Sequence, residues 1–258
     1  NTILSPNHKI HGIVQHSNEL EKFKRYYLAV LSPSHNFWKD ERVIDYLDDL
    51  RSIGVSQHIP VIFSLLDKYK KIEDTNNKIW PLYATFIRRV IAKKNPNEFE
   101  RELSNICKKI KKENFNEVKK ILDKLNPNDN EIMEALNNYE FKGSKDKHLA
   151  KAILRIINNK NLQDVNTIKD LTLEHIFPVS MSNNLDDESF VNKIGNLTLL
   201  PLGENKKLGN KSFKQKLKIF KISDLPINKE LEEKEEWKDK DIAVRTKKLS
   251  DELCKVLK

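Results

Sequence analysis

Apolar residues recur at intervals of three and four along most of the first 160 positions. Leu20, Phe23, Tyr27, Val30 and Leu31 keep this spacing, and so do Val43, Leu47 and Leu50, with Gly54 as a stop. Ile62, Leu65, Leu66 and Tyr69 follow, with Pro60 near a helix start, where its missing N–H costs little. Phe86, Val90 and Ile91 mark a fourth helix, Phe99, Leu103, Ile106, Cys107 and Ile110 a fifth, and Val118, Ile121, Leu122 and Leu125 a sixth. Such stripes predict the core of an α-helical domain. Asn126-Pro127-Asn128-Asp129 breaks the pattern and marks a boundary. Two more helices are predicted, around Ile132 to Tyr139 and Leu149 to Ile157, separated by Gly143-Ser144.

The period then changes. Leu171-Thr172-Leu173 and Leu197-Thr198-Leu199-Leu200 are short, apolar and Thr-containing, as strands are, and Asp186-Asp187-Glu188 reads as a polar loop tip between them. A helical run resumes at Glu204 and another ends the sequence. The expected architecture is mainly α: a helical domain over 1–126, then a smaller α+β domain over 127–258.

Composition narrows the class. With 38% hydrophobic and 33% charged residues, the 258 residues suit a soluble globular protein. No apolar run is long enough to span a membrane. The sequence starts Asn-Thr-Ile, with neither initiator Met nor leader, and reads as a fragment of a longer protein. A net charge of +9 favours an anionic partner such as nucleic acid. Cys107 and Cys254 fall on apolar helical stripes and read as buried thiols in a reducing cytoplasm.

The residues suited to chemistry lie between Leu171 and Gly209. Hydrolysis of a phosphodiester needs a base for water and a cation for the charge that builds on oxygen. A neutral imidazole can take a proton near pH 7, and carboxylate and amide oxygens suit a hard divalent ion. Glu174 and His175 are adjacent. Neighbours on a strand point to opposite faces, so the pair is expected where the strand ends and the backbone turns, with Pro178 marking the exit. Asn205 can offer a second oxygen ligand from the following helix, and Asn196, beside Gly195, can hold the His-bearing loop.

The run Glu174-His175-Ile176-Phe177-Pro178, then Ile194 to Leu200, then Glu204-Asn205, then Lys207 to Phe213 resembles the HNH, or ββα-metal, nuclease domain. More narrowly it is similar to the C-terminal nuclease domain of GmrSD-type modification-dependent restriction endonucleases. The likeness covers about residues 127 to 258, from the helix His148 to Ile157 to a terminal Trp237, Ile242, Arg245 pattern. It implies that His175 is the general base, that Glu174 and Asn205 bind Mg2+ or Mn2+, and that Asn196 orients the His loop. Asn210 is the alternative to Asn205. It further implies a DNA substrate, foreign or modified, and a bacterial defence role. It also implies that nucleotide binding, if there is any, belongs to an N-terminal domain outside this sequence. Two departures stand out: Val179 follows Pro178 where relatives often have Gln, and the third motif position is Asn rather than His.

Lys206, Lys207, Lys211, Lys214, Lys216, Lys218 and Lys221 form a basic run with no acid between Glu204 and Asp224, above a stripe of Phe213, Leu217 and Phe220. Lys206, Lys207, Lys211 and Lys214 are the expected phosphate contacts. Arg245 is either a further phosphate clamp or the buried partner of a carboxylate. No motif for base readout is present. The competing readings are an inactive DNA-binding or scaffolding module on the same fold, and an RNase toxin.

Overall fold

The computed structural model describes residues 6–69, 71–112, 114–160 and 170–258. Helices α1 (Pro6–Leu31), α2 (His35–Trp38), α3 (Glu41–Ile53), α4 (His58–Lys68), α5 (Ile72–Ile91), α6 (Pro96–Lys111), α7 (Phe115–Leu125), α8 (Asp129–Asn138) and α9 (Ser144–Lys160) precede a two-stranded sheet. Strand β1 is Leu171–His175 and β2 is Leu197–Pro201, followed by α10 (Leu202–Leu208), α11 (Phe213–Phe220) and α12 (Asp239–Val256). The fold is mainly α, as the periodicity predicts. No helix among the described residues is long and apolar enough to cross a membrane.

The chain forms two compact units. One comprises Asn1–Arg51, Val55–Tyr83 and Asn95–Leu125; the other comprises Ser52–Gly54, Ala84–Lys94 and Asn126–Lys258. The division is not a single cut, because α5 gives its residues through Tyr83 to the first unit and the rest to the second.

In the first unit, Ala29, Val30, Trp38, Val43, Leu47, Ile62, Leu66 and Ile79 form a core cluster. The Trp38 indole donates to the Ala29 carbonyl at 2.7 Å, which satisfies the polar end of a buried ring. Two expectations fail here. Leu20, Phe23 and Tyr27 are exposed, Leu20 by 71%; α1 buries Ala29 and Val30 instead and half-buries Tyr26, whose hydroxyl donates to the Leu66 carbonyl at 2.9 Å. Spacing identified the helix but not the face that is covered. Cys107 is half-buried rather than buried, whereas Cys254 is buried; both are free thiols. The fourth helix also begins earlier than its stripe suggests, at Ile72, and runs through Pro81.

The main stretch of the second unit begins at a cap. Asn128 accepts a hydrogen bond from the Glu131 amide at 3.0 Å, and Glu131 accepts one from the Asn128 amide at 2.9 Å. This reciprocal box satisfies two amides that the first turn of α8 leaves open, which is why the helical pattern breaks there. The sheet is antiparallel, pairing Leu171 with Pro201, Leu173 with Leu199, Glu174 with Thr198 and His175 with Leu197. A core of Ile176, Leu185, Val191, Leu200, Leu208, Phe213, Phe220, Leu231, Trp237 and Ile242 ties the strand ends to α10, α11 and α12. The loop tip is tethered: the Asp186 and Asp187 amides donate to the Asp239 carboxylate at 3.2 and 3.0 Å, at the start of α12.

Candidate active site

Strand β1 carries Glu174 and His175, while Asn196 directly precedes β2 and Asn205 lies on α10. Strand β1 runs through Glu174 and ends at His175, so the pair lies at the strand end, where it was expected. The chain leaves at Ile176, whose amide still donates to the Asn196 carbonyl at 2.8 Å. Alternation therefore starts the Glu174 and His175 side chains on opposite sides of β1.

Asn196 is fully buried and holds that exit. Its side-chain oxygen accepts from the Phe177 amide at 2.8 Å, and its side-chain nitrogen donates to the Phe177 carbonyl at 3.0 Å and the Val191 carbonyl at 2.9 Å. The Trp237 indole adds a bond to the same oxygen at 3.2 Å. An amide that pairs with both backbone groups of one residue fixes that residue's orientation. Asn196 is thus placed to position the loop, not to touch a substrate.

Asn205 lies against the same strand. Its amide nitrogen donates to Leu173 O at 3.0 Å and to Thr172 Oγ1 at 2.8 Å. A carbonyl only accepts, so the nitrogen end must face the strand, and Oδ1 points elsewhere. Thr172 and Glu174 share a strand face, which brings Asn205 to the Glu174 side. Asn210 sits exposed in the turn after α10, beyond Gly209, whose φ of 51° ends the helix. The geometry therefore favours Asn205 over Asn210 as the neighbour of Glu174.

His175 is half-buried, with its Nε2 buried. Its Nε2 has no hydrogen-bond partner among the described residues. Burial, with help from the charges of Lys216 and Lys147, pushes its pKa down to about 4, against a smaller opposing effect of an Asn192 hydrogen bond. The imidazole is neutral at pH 7. Burial also pushes the Glu174 carboxyl upward, and Lys216 opposes this.

Lys216 belongs to the basic run but is not solvated. It is 1% exposed, and its ammonium donates to Glu174 Oε1 at 2.5 Å and to the His175 carbonyl at 2.6 Å. The sequence held a signal for this: Phe213, Lys216 and Phe220 are spaced as one buried helical stripe. Lys206, Lys207, Lys211 and Lys214 are exposed, as a phosphate-binding surface requires, and Lys211 also donates to the Lys207 carbonyl at 2.8 Å.

Arg245 is no surface clamp. It is 2% exposed, pairs through Nε with Glu230, and donates to the carbonyls of Gly195 at 2.9 Å and Leu197 at 2.6 Å. It locks the start of β2 onto α12. Gly195 lies so close to α12 that a Cβ there would stand 2.1 Å from the Ile242 carbonyl. Trp237, Ile242 and Arg245 thus share one task, bracing the Asn196 turn.

Residues 126–252 match the family model for the C-terminal domain of GmrSD restriction endonucleases. This segment is a GmrSD C-terminal domain. No curated protein matches the chain. The family makes this domain a restriction-endonuclease-related nuclease module, and the match contains every residue assembled above: Glu174, His175, Asn196, Asn205, Lys216 and Arg245.

The donor types suit a hard divalent ion. Glu174 supplies a carboxylate, Asn205 an amide oxygen turned off the strand, and His175 Nε2 and Glu204 Oε2 are buried polar atoms without hydrogen bonds among the described residues. No cluster of three or more His, Cys, Asp or Glu ligands occurs among the described residues. Most of such an ion's shell would come from water and phosphate, as is usual for Mg2+.

Proposed function

We propose that the GmrSD domain is an HNH-type endonuclease that hydrolyses DNA phosphodiester bonds with Mg2+ or Mn2+. It would be the cutting module of a modification-dependent restriction or phage-defence protein in a bacterial cytoplasm, controlled by an N-terminal nucleotide-binding domain. The observation that carries this reading is the unpartnered His175 Nε2 at the end of the strand bearing Glu174. A buried polar atom left without a partner is costly unless a ligand or water completes it.

Glu174 and Asn205 Oδ1 would hold the divalent ion, which when bound offsets charge on the phosphoryl and leaving oxygens. His175, neutral at pH 7, takes the proton of the attacking water. Because Glu174 and His175 leave β1 on opposite sides, a phosphodiester reached by both must lie across the strand end, at Ile176 to Pro178. Asn196 keeps that end in one conformation. Lys206, Lys207, Lys211 and Lys214 bind flanking phosphates, and binding weakens steeply with salt as counterions are no longer released to advantage.

One observation favours the alternative of an inactive DNA-binding module: Lys216 already neutralises Glu174. Incubation with supercoiled plasmid separates the readings. The nuclease reading expects nicked DNA with Mg2+ or Mn2+ and none with EDTA, and intact plasmid under all conditions would overturn it. Cleavage of RNA but not of modified or unmodified duplex DNA would instead support an RNase on this fold.

A further inference from the structure

The Glu174 carboxylate has a counter-ion built into the chain. The Lys216 ammonium arrives from the first turn of α11, the helix after the one bearing Asn205, and is buried in the domain core. It makes two hydrogen bonds at once, to the Glu174 carboxylate and to the backbone carbonyl of His175. Side chain and strand end are therefore fixed by one cation. An unpaired buried carboxylate is strongly unfavourable, so Lys216 allows Glu174 to stay buried and charged when nothing else is bound. A divalent ion needs that same negative charge. Two cations on one half-enclosed carboxylate repel each other, and the repulsion is strong where water is scarce.

We propose that Lys216 is a resident counter-ion that competes with the divalent ion for Glu174. It orders the carboxylate and the end of β1 in the metal-free domain, and it gives up its bond to Oε1 when the ion is taken up. Its unbranched four-carbon stem permits this without movement of α11. The metal-free site is then neutral at Glu174 and Lys216, and uptake of a divalent ion leaves an excess of positive charge. DNA phosphate removes that excess, so metal and DNA strengthen each other's binding, a coupling that must be reciprocal. The inference rests on the metal-nuclease reading and assigns a positioning residue to that same site.

The test is Mn2+ binding by the whole chain, followed by calorimetry and by melting temperature. In EDTA, Lys216→Met melts below wild type because Glu174 is left unpaired. It then binds Mn2+ at least about tenfold more tightly than wild type and gains more melting temperature from the ion. The double variant Glu174→Gln, Lys216→Met regains melting temperature in EDTA but loses the Mn2+ response. Lys216→Gln, which keeps a neutral donor, reports the same change in affinity should Lys216→Met fail to fold. Equal or weaker Mn2+ binding by the Lys216 variants overturns the proposal. If wild type still nicks plasmid with Mn2+, the nuclease reading survives that result. Absence of any Mn2+ response and of any nicking overturns both.

Discussion

The two units bury different kinds of side chain. In the first, buried polar groups among the described residues are confined to Asp49, His58 and Thr75, set in a core of aliphatic and aromatic residues. In the second, Glu174, Lys216, Asn196, Thr198, Asn228 and Arg245 are all buried around one pair of short strands. Apolar packing is enough to hold helices together. Buried polar groups add little net stability, but once fully paired they fix one arrangement of side chains. The difference marks where the chain has fixed orientation as well as stability, and the six side chains around the strands all lie within the matched segment 126–252.

That contrast can be broken most directly at Arg245. Replacing it with Met leaves Glu230 with only the exposed Lys248 as partner and removes the donor that Arg245 gives to the carbonyls of Gly195, Leu197 and Ile227. A loss of about 3–5 kcal/mol is expected from urea unfolding, with plasmid nicking lost as the Asn196 turn loosens. Leu47→Ala in the first unit costs a comparable ~2–5 kcal/mol by cavity formation alone, but should leave nicking per folded molecule unchanged. If both variants lose stability and nicking alike, the two interiors do not divide the labour as described.

Acid sharpens the comparison. His58 in the first unit and His175 in the second both have pKa values pushed down to about 4, His58 by burial alone and His175 by burial with nearby lysines. Each is neutral when folded and titrates near 6.5 when unfolded, so the unfolded state binds more protons between those values. Stability is therefore full above about pH 6.5 and declines as pH falls toward 4, by up to about 3 kcal/mol per histidine. His58→Asn and His175→Asn should each flatten the pH profile measured by urea unfolding; an unchanged slope in either would show that histidine to be solvated.

Smaller effects follow. Gly195→Ala meets the backbone of α12 and should cost ~1–3 kcal/mol, with a matching fall in melting temperature; a wild-type melting temperature would mean that α12 yields freely. Asn95→Ala in the first unit and Asn128→Ala in the second each remove a helix cap. Each should cost only about 1 kcal/mol, so a much larger loss at Asn128 would show that the boundary itself carries the second unit.

Much of this was legible in the sequence, for stated reasons. Helical stripes are local, so the helices and the strand pair could be read from spacing. Asn196 could be assigned to the His loop because Gly195 and two short apolar runs confined it to the hairpin. Which face of α1 is covered could not be read, because that depends on partners distant in sequence. Arg245 was left with two readings for the same reason, since only the fold brings Glu230 and the β2 carbonyls to it. Lys216 was read only as one member of the basic run, although its place between Phe213 and Phe220 put it on the buried stripe. Asn205 was separated from Asn210 only by the bond to Leu173.

The central claim is that His175, at the end of β1, performs the proton transfer. It is tested most directly by single-turnover plasmid cleavage in Mn2+ by wild type and His175→Ala, with circular dichroism confirming that both are folded. The account predicts that His175→Ala falls by at least about 100-fold with its helical content intact. Cleavage by the folded variant at the wild-type rate would contradict it.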